Sequence, residues 1–179
     1  GDRSFRSHVI YSDDHGKTWE LGGIAPKPMV NECEVVELSD GRLLLNMRNY
    51  DKDTRARQVC FSDDGGLTWH DQRHDKQLIE PICQASIRRY SWPGKKEDGV
   101  ILFSNPASTS RRDKLTVRAS YDDGQTWKHS KLIYIGGSAY SCLVILGDQT
   151  IGNLYEKDGY KQIVFARFGL GWIQSSTRK

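Results

Sequence analysis

The chain has 179 residues, 37% hydrophobic and 27% charged, with 17 Gly and only 5 Pro, a profile that excludes a disordered tail and fits a folded domain. Its 26 basic and 23 acidic residues leave a net charge of +3 with no basic block, which argues against a nucleic-acid partner. No run approaches the roughly 18 apolar residues that a membrane-spanning helix needs, and the polar start GDRSFRSH lacks the apolar core of a signal peptide. A start at Gly in place of Met is what an excised piece would show, so the compartment stays open between extracellular, lysosomal and cytoplasmic.

Taken in chain order, short strand-like runs fall at 8–11, 35–38, 43–47, 58–61, 100–103, 115–119, 143–146 and 163–168. Turn residues stand between several of them, as at Ser39-Asp40-Gly41, Gly147-Asp148 and Asp158-Gly159, where hairpins need them. No stretch keeps a period of 3.6, so helix content is expected to be low. Cys33, Cys60, Cys83 and Cys142 lie in separate apolar runs without zinc-site spacing, and buried free thiols are the expectation. No N-x-[ST] sequon is present, nothing implies a metal or other cofactor, and the five His are scattered without ligand spacing.

One turn recurs three times. Residues Ser12, Asp14, Gly16, Thr18 and Trp19, then Ser62, Asp64, Gly66, Thr68 and Trp69, then Ser120, Asp122, Gly124, Thr126 and Trp127 all fit S-x-D-x-G-x-T-W, at spacings of 50 and 58 residues. The Asp can accept hydrogen bonds from its own turn, the Gly can take a positive φ, and Thr and Trp are expected to begin the next strand. A repeat of about 50 residues built of four short strands marks a propeller blade. The chain would supply roughly three and a half blades, too few to close a ring.

The repeat also places polar side chains on one rim. Glu32 lies 20 residues after Ser12, Gln84 22 after Ser62, and Tyr140 20 after Ser120, while Arg48 and Glu156 stand 16 past Glu32 and Tyr140. Equivalent positions of successive blades surround one axis, so these residues are expected to converge. Each has a bland alternative: Glu32 as a solvated strand end, Tyr140 as a core aromatic, the arginines as surface charge.

The strings Asn31-Glu32-Cys33, Leu45-Asn46-Met47-Arg48, Phe103-Ser104-Asn105-Pro106 followed by Arg112 to Arg118, Ser138-Ala139-Tyr140-Ser141 and Leu154-Tyr155-Glu156 resemble the sialidase family, whose Asp-box is the triple turn. The resemblance covers residues 1–179 as one partial domain, the C-terminal blades of an all-β, six-bladed propeller. It implies a retaining exo-α-sialidase, a glycoside hydrolase acting on sialylated glycoproteins, glycolipids or oligosaccharides. Tyr140 would be the nucleophile and Glu32 the base that takes its proton. Arg48 and Arg112 would hold the substrate carboxylate, with Arg111 the fallback. Gln84 lies where relatives line the sugar pocket, and Glu156 matches the acid that supports the first arginine of the triad. That arginine and the general-acid Asp match nothing here. They are expected in a missing N-terminal half, without which the segment would be inactive. A trans-sialidase shares this chemistry, and a non-catalytic Asp-box propeller that binds glycan or protein is the competing class.

Overall fold

Side chains alternate between the two faces of a strand, so a strand covered on both faces reads as an unbroken apolar run. The run Val100-Ile101-Leu102-Phe103 behaves this way: Ile101 and Phe103 enter one core cluster, and Val100 and Leu102 enter another. A computed structural model describes residues 4–94 and 98–175. Among these are strands β1 (His8–Tyr11), β2 (Glu20–Ile24), β3 (Val30–Glu37), β4 (Leu43–Asn49), β5 (Ala56–Ser62), β6 (His70–Ile79), β7 (Ser86–Ser91), β8 (Val100–Pro106), β9 (Asp113–Ser120), β10 (His129–Ile145), β11 (Ile151–Lys157) and β12 (Gln162–Phe168), followed by a short helix α1 (Leu170–Gln174).

The strands pair in sequence order and antiparallel. β1 and β2 form a two-stranded sheet, β3 to β6 a four-stranded one, and β7 to β12 a six-stranded array. Within that array, the 17-residue β10 pairs with β9 over 129–137 and with β11 over 138–145. It is the outer strand of one blade and the inner strand of the next. Register shifts between Leu132 and Gly137, and again between Ser138 and Ser141, let it turn between the two.

Apolar side chains fill the spaces between blades. Ala25, Val30, Leu45, Met47, Cys60 and Trp69 pack where β1 and β2 meet the β3–β6 sheet. Val36, Leu44, Phe61, Ile87, Phe103 and Trp127 fill the next interface, and Val117, Ala119, Leu143, Ile151 and Ile173 the one after it. The described residues therefore make stacked blades of an all-β propeller.

The three turns are built alike. In the second, the Ser62 hydroxyl donates to Asp64 Oδ1 at 2.8 Å and accepts from the Gly66 N–H at 2.8 Å. Asp64 then takes the Thr68 N–H at 2.9 Å and the Thr68 hydroxyl at 2.6 Å. The same pattern recurs around Asp14 and Asp122. Gly16, Gly66 and Gly124 have φ of 83°, 93° and 81°, and the residue before each (His15, Gly65, Asp123) is left-handed too. The turn Trp packs between blades at Trp69 and Trp127, 7% and 8% exposed, whereas Trp19, on the two-stranded sheet, is 60% exposed.

Several expectations are corrected. Thr and Trp do not open the next strand: β2 and β6 begin one residue after the Trp and β10 two residues after it, because the Thr is held by the Asp. Leu38 and Leu146 lie just outside β3 and β10. All four cysteines are free, but Cys142 is exposed and Cys33 only half-buried. Cys83 sits in the loop between β6 and β7, not in a strand.

Hydrogen bonds from Thr68 hold the Asp64 carboxyl at about 2, below its ordinary 3.8. A depressed folded-state value means the turn's contribution is complete above the unfolded value and is lost as pH falls through about 2. Asp64→Asn should therefore melt below wild type at neutral pH, and the gap should close between about pH 4 and pH 2, as thermal melts at stepped pH will read. Phe103→Ala should cost about 3–5 kcal/mol in denaturant unfolding, the range for emptying a buried aromatic site.

Candidate active site

β3 delivers Glu32, β4 delivers Arg48, and β10 delivers Tyr140 from 108 residues away to the same point. The Tyr140 hydroxyl donates to Glu32 Oε1. Arg48 Nη1 donates to Glu32 Oε2 at 2.6 Å and reaches the Tyr140 oxygen at 3.1 Å. Carboxylate, guanidinium and phenol thus close a triangle. The Arg48 guanidinium also stacks 4.8 Å over the Tyr50 ring. Among the described residues no protein acceptor pairs with its Nε, which is buried.

The electrostatics set where the proton rests. Burial, the hydrogen bond to Glu32 and that carboxylate's charge together push the Tyr140 phenol above its ordinary 10.0. Burial would also raise Glu32, but the hydrogen bonds from Tyr140 and Arg48 and the Arg48 and Arg112 charges outweigh it, so Glu32 lies below the usual carboxylate value. At neutral pH the phenol is protonated and the carboxylate ionised. A proton can pass along their hydrogen bond only as charge develops elsewhere.

Arg112, at the end of the loop before β9, donates from Nη1 to the Tyr160 hydroxyl at 2.8 Å and from Nη2 to the Ile82 carbonyl at 3.0 Å. Its guanidinium carbon lies 5.9 Å from the Tyr140 ring centroid. Arg111 points elsewhere, its side chain 82% exposed and 3.4 Å from Asp113. Gln84 is tied down: its amide donates to the Ser141 carbonyl and accepts the Ser141 N–H, both at 3.0 Å. It still lines a cavity of about 250 Å³ beside Tyr140. Glu156 accepts the Tyr140 N–H at 3.0 Å and borders a smaller cavity, about 110 Å³, with Arg112 and Tyr160. The structure therefore brings Glu32, Arg48, Tyr140 and Arg112 together, with Gln84 and Glu156 gripping the backbone around Tyr140.

Sequence reasoning missed the support beneath this cluster. Arg57 and Glu80 form a fully buried ion pair at 2.8 Å. Arg57 also donates to Asn46 Oδ1 at 2.7 Å and the Cys83 carbonyl at 2.7 Å, and Glu80 accepts the Asn49 N–H at 2.6 Å. These bonds fasten the 80–85 loop, which carries Ile82 and Gln84, to β4 and β5. One signal was available: Arg57 is a lone charge opening an apolar run in a strand buried along its whole length.

Comparison with known proteins follows the same lines. Residues 1–155 match the family described as BNR repeat-like domain. The chain is 42% identical over 174 residues to a sialidase of Micromonospora viridifaciens, covering 95% of this chain and 26% of that protein. It is 36% identical over 157 residues to a sialidase of Bacteroides fragilis strain YCH46, covering 83% and 28%. It thus spans little more than a quarter of either relative. Among solved structures, a Hadza microbial sialidase aligns with a TM-score of 0.80 at 38% identity, over 92% of this chain and 32% of that one. The intramolecular trans-sialidase of Ruminococcus gnavus, in complex with oseltamivir carboxylate, aligns at 0.78 and 26% identity, over 94% and 39%.

Removing the carboxylate beside the phenol takes away two of the effects that raise it. In Glu32→Gln, the Tyr140 titration should move to lower pH, read as the ultraviolet difference from a protein also carrying Tyr140→Phe. Arg57→Met should destabilise by about 3–5 kcal/mol in denaturant unfolding, because it strands the Glu80 charge in the interior.

Proposed function

Because the chain belongs to the sialidase family of BNR repeat-like propellers, we propose that it forms part of the active site of a retaining exo-α-sialidase. In this reading residues 1–179 are one section of a propeller domain. The single observation that carries it is the triangle of Glu32, Arg48 and Tyr140.

The chemistry follows from the substrate. The anomeric carbon of a sialic acid bears a carboxylate, which would repel the carboxylate nucleophile of most retaining glycosidases; sialidases use a Tyr instead. A phenol is neutral at rest and needs an adjacent base to attack at neutral pH. Here Glu32 takes the proton as the Tyr140 oxygen bonds to the anomeric carbon and the glycan oxygen departs, protonated by an acid outside this segment. Water then displaces Tyr140, giving up its proton to that same outside group, while Tyr140 recovers its own from Glu32, and two inversions leave the configuration retained. Arg48 and Arg112 hold the substrate carboxylate, a role that suits a permanently charged, planar fork of donors. Gln84 lines the sugar pocket, and Glu156 fixes the Tyr140 backbone while supporting a further arginine of the cluster.

Exposed apolar side chains at both ends of the described blades fit a ring completed by further blades: Ile10, Trp19 and Leu21 at one end, Leu154, Ile163 and Phe165 at the other. The missing arginine and general acid would come from those blades, and the segment alone would be inactive. Transfer of the sialosyl group in place of hydrolysis is the second reading, favoured by the likeness to an intramolecular trans-sialidase.

In the intact protein, Tyr140→Phe should reduce cleavage of a fluorogenic sialoside to near background, and Glu32→Gln should lower kcat by about 10²- to 10⁴-fold, the usual worth of a general base. Retention of wild-type rates by Tyr140→Phe would overturn the reading. Product analysis with added lactose separates free sialic acid from a transfer product.

A further inference from the structure

We propose that the Tyr160 hydroxyl and the Ile82 carbonyl form a clamp that pre-orients Arg112 toward the substrate carboxylate, which makes Tyr160 a positioning residue for the reaction proposed above, on whose reading this inference rests. Arg112 is anchored through both terminal nitrogens, one to each partner. The two partners come from different loops, 78 positions apart in sequence, and nothing else in the described structure is shared between them as a hydrogen-bond donor.

Both partners stand on unfavourable backbone. Ile82 has φ of 60° and Tyr160 φ of 69°, a region in which a β-branched or bulky residue is a genuine outlier. Tyr160 ends a run of three left-handed residues, Asp158, Gly159 and Tyr160, with φ of 53°, 66° and 69°. Such strain persists only where the surroundings over-determine it, and it gathers at ligand clamps and active sites.

The surroundings here are explicit. Asp158 accepts the Tyr134 hydroxyl at 2.6 Å, pairs with Lys157 at 3.0 Å, and donates its N–H to the Gly137 carbonyl at 2.8 Å. On the other side, the Arg57–Glu80 pair fastens the loop that carries Ile82. Burial does not account for the place of Tyr160, whose residue surface is 59% exposed. What its conformation secures is the bond to Arg112. An arginine has many rotamers to lose on binding, so one already ordered binds more tightly than one that must be ordered by the ligand. The unclamped neighbour Arg111 shows the contrast, its side chain exposed and 3.4 Å from Asp113.

Tyr160→Phe keeps the ring and the turn and removes only the acceptor. In the intact protein it should raise KM for a sialoside roughly two- to tenfold, the net worth of one partly exposed hydrogen bond, while kcat stays within about twofold, since the carboxylate is held alike in ground and transition states. In an Arg112→Lys background the same change should add nothing to KM. An unchanged KM in Tyr160→Phe, or an equal rise in both backgrounds, would overturn the clamp. If wild type cleaves no sialoside, the proposed function fails while the clamp is still decided by the Arg112 Nη–H signals in NMR. Slower solvent exchange in wild type than in Tyr160→Phe supports it, and equal exchange overturns it.

Discussion

Tyr140 can meet Glu32 only because β10 does not stop between blades. Its 17 residues belong to two sheets in turn, and Tyr140 falls just past the crossing, where the strand has passed from one blade to the next. A loop at that place would have to be ordered before the phenol could be aimed. A continuous strand, paired on both sides and gripped through Tyr140 N–H by Glu156 and through Ser141 by Gln84, arrives already aimed. The three Asp-box turns serve the same end at the far edge of the blades, since they fix where each outer strand departs and so how neighbouring blades stack.

The charge arrangement follows from that meeting. One guanidinium touches both the carboxylate and the phenol, so Glu32 is ionised without the cost of an unpaired charge in a partly desolvated cleft. Tyr140 is kept neutral by burial and by the carboxylate that accepts its hydrogen bond. At rest the cluster therefore presents a neutral phenol beside two arginines, with its one carboxylate already paired.

Much of this was legible in the sequence for a physical reason. The turn motif spells out its own hydrogen bonds, and a repeat of fixed length carries equivalent positions to one axis, so Glu32, Arg48 and Tyr140 could be grouped although far apart. The β6 run His-Asp-Gln-Arg-His-Asp-Lys-Gln-Leu-Ile was illegible as a strand because an outer strand faces solvent and needs few apolar residues. β2, β7 and β11 were passed over for similar reasons of weak patterning. The unbroken length of β10 was not seen, since only its last residues form an apolar run and Gly136 and Gly137, where the register shifts, interrupt the strand pattern. Arg57 and Glu80 were passed over, because the lone charge at the head of a buried strand shows that a partner is needed but not which residue supplies it. Tyr160 gave no signal, since its conformation depends on a turn whose anchors, Tyr134 and Gly137, lie on another strand.

The most direct measurement is covalent trapping in the intact protein, using a sialosyl fluoride with a second fluorine beside the anomeric carbon to slow turnover of the intermediate. Peptide mass mapping should place one sialosyl group on Tyr140. A label on Glu32, or turnover without any label on the Tyr140 peptide, would contradict the account.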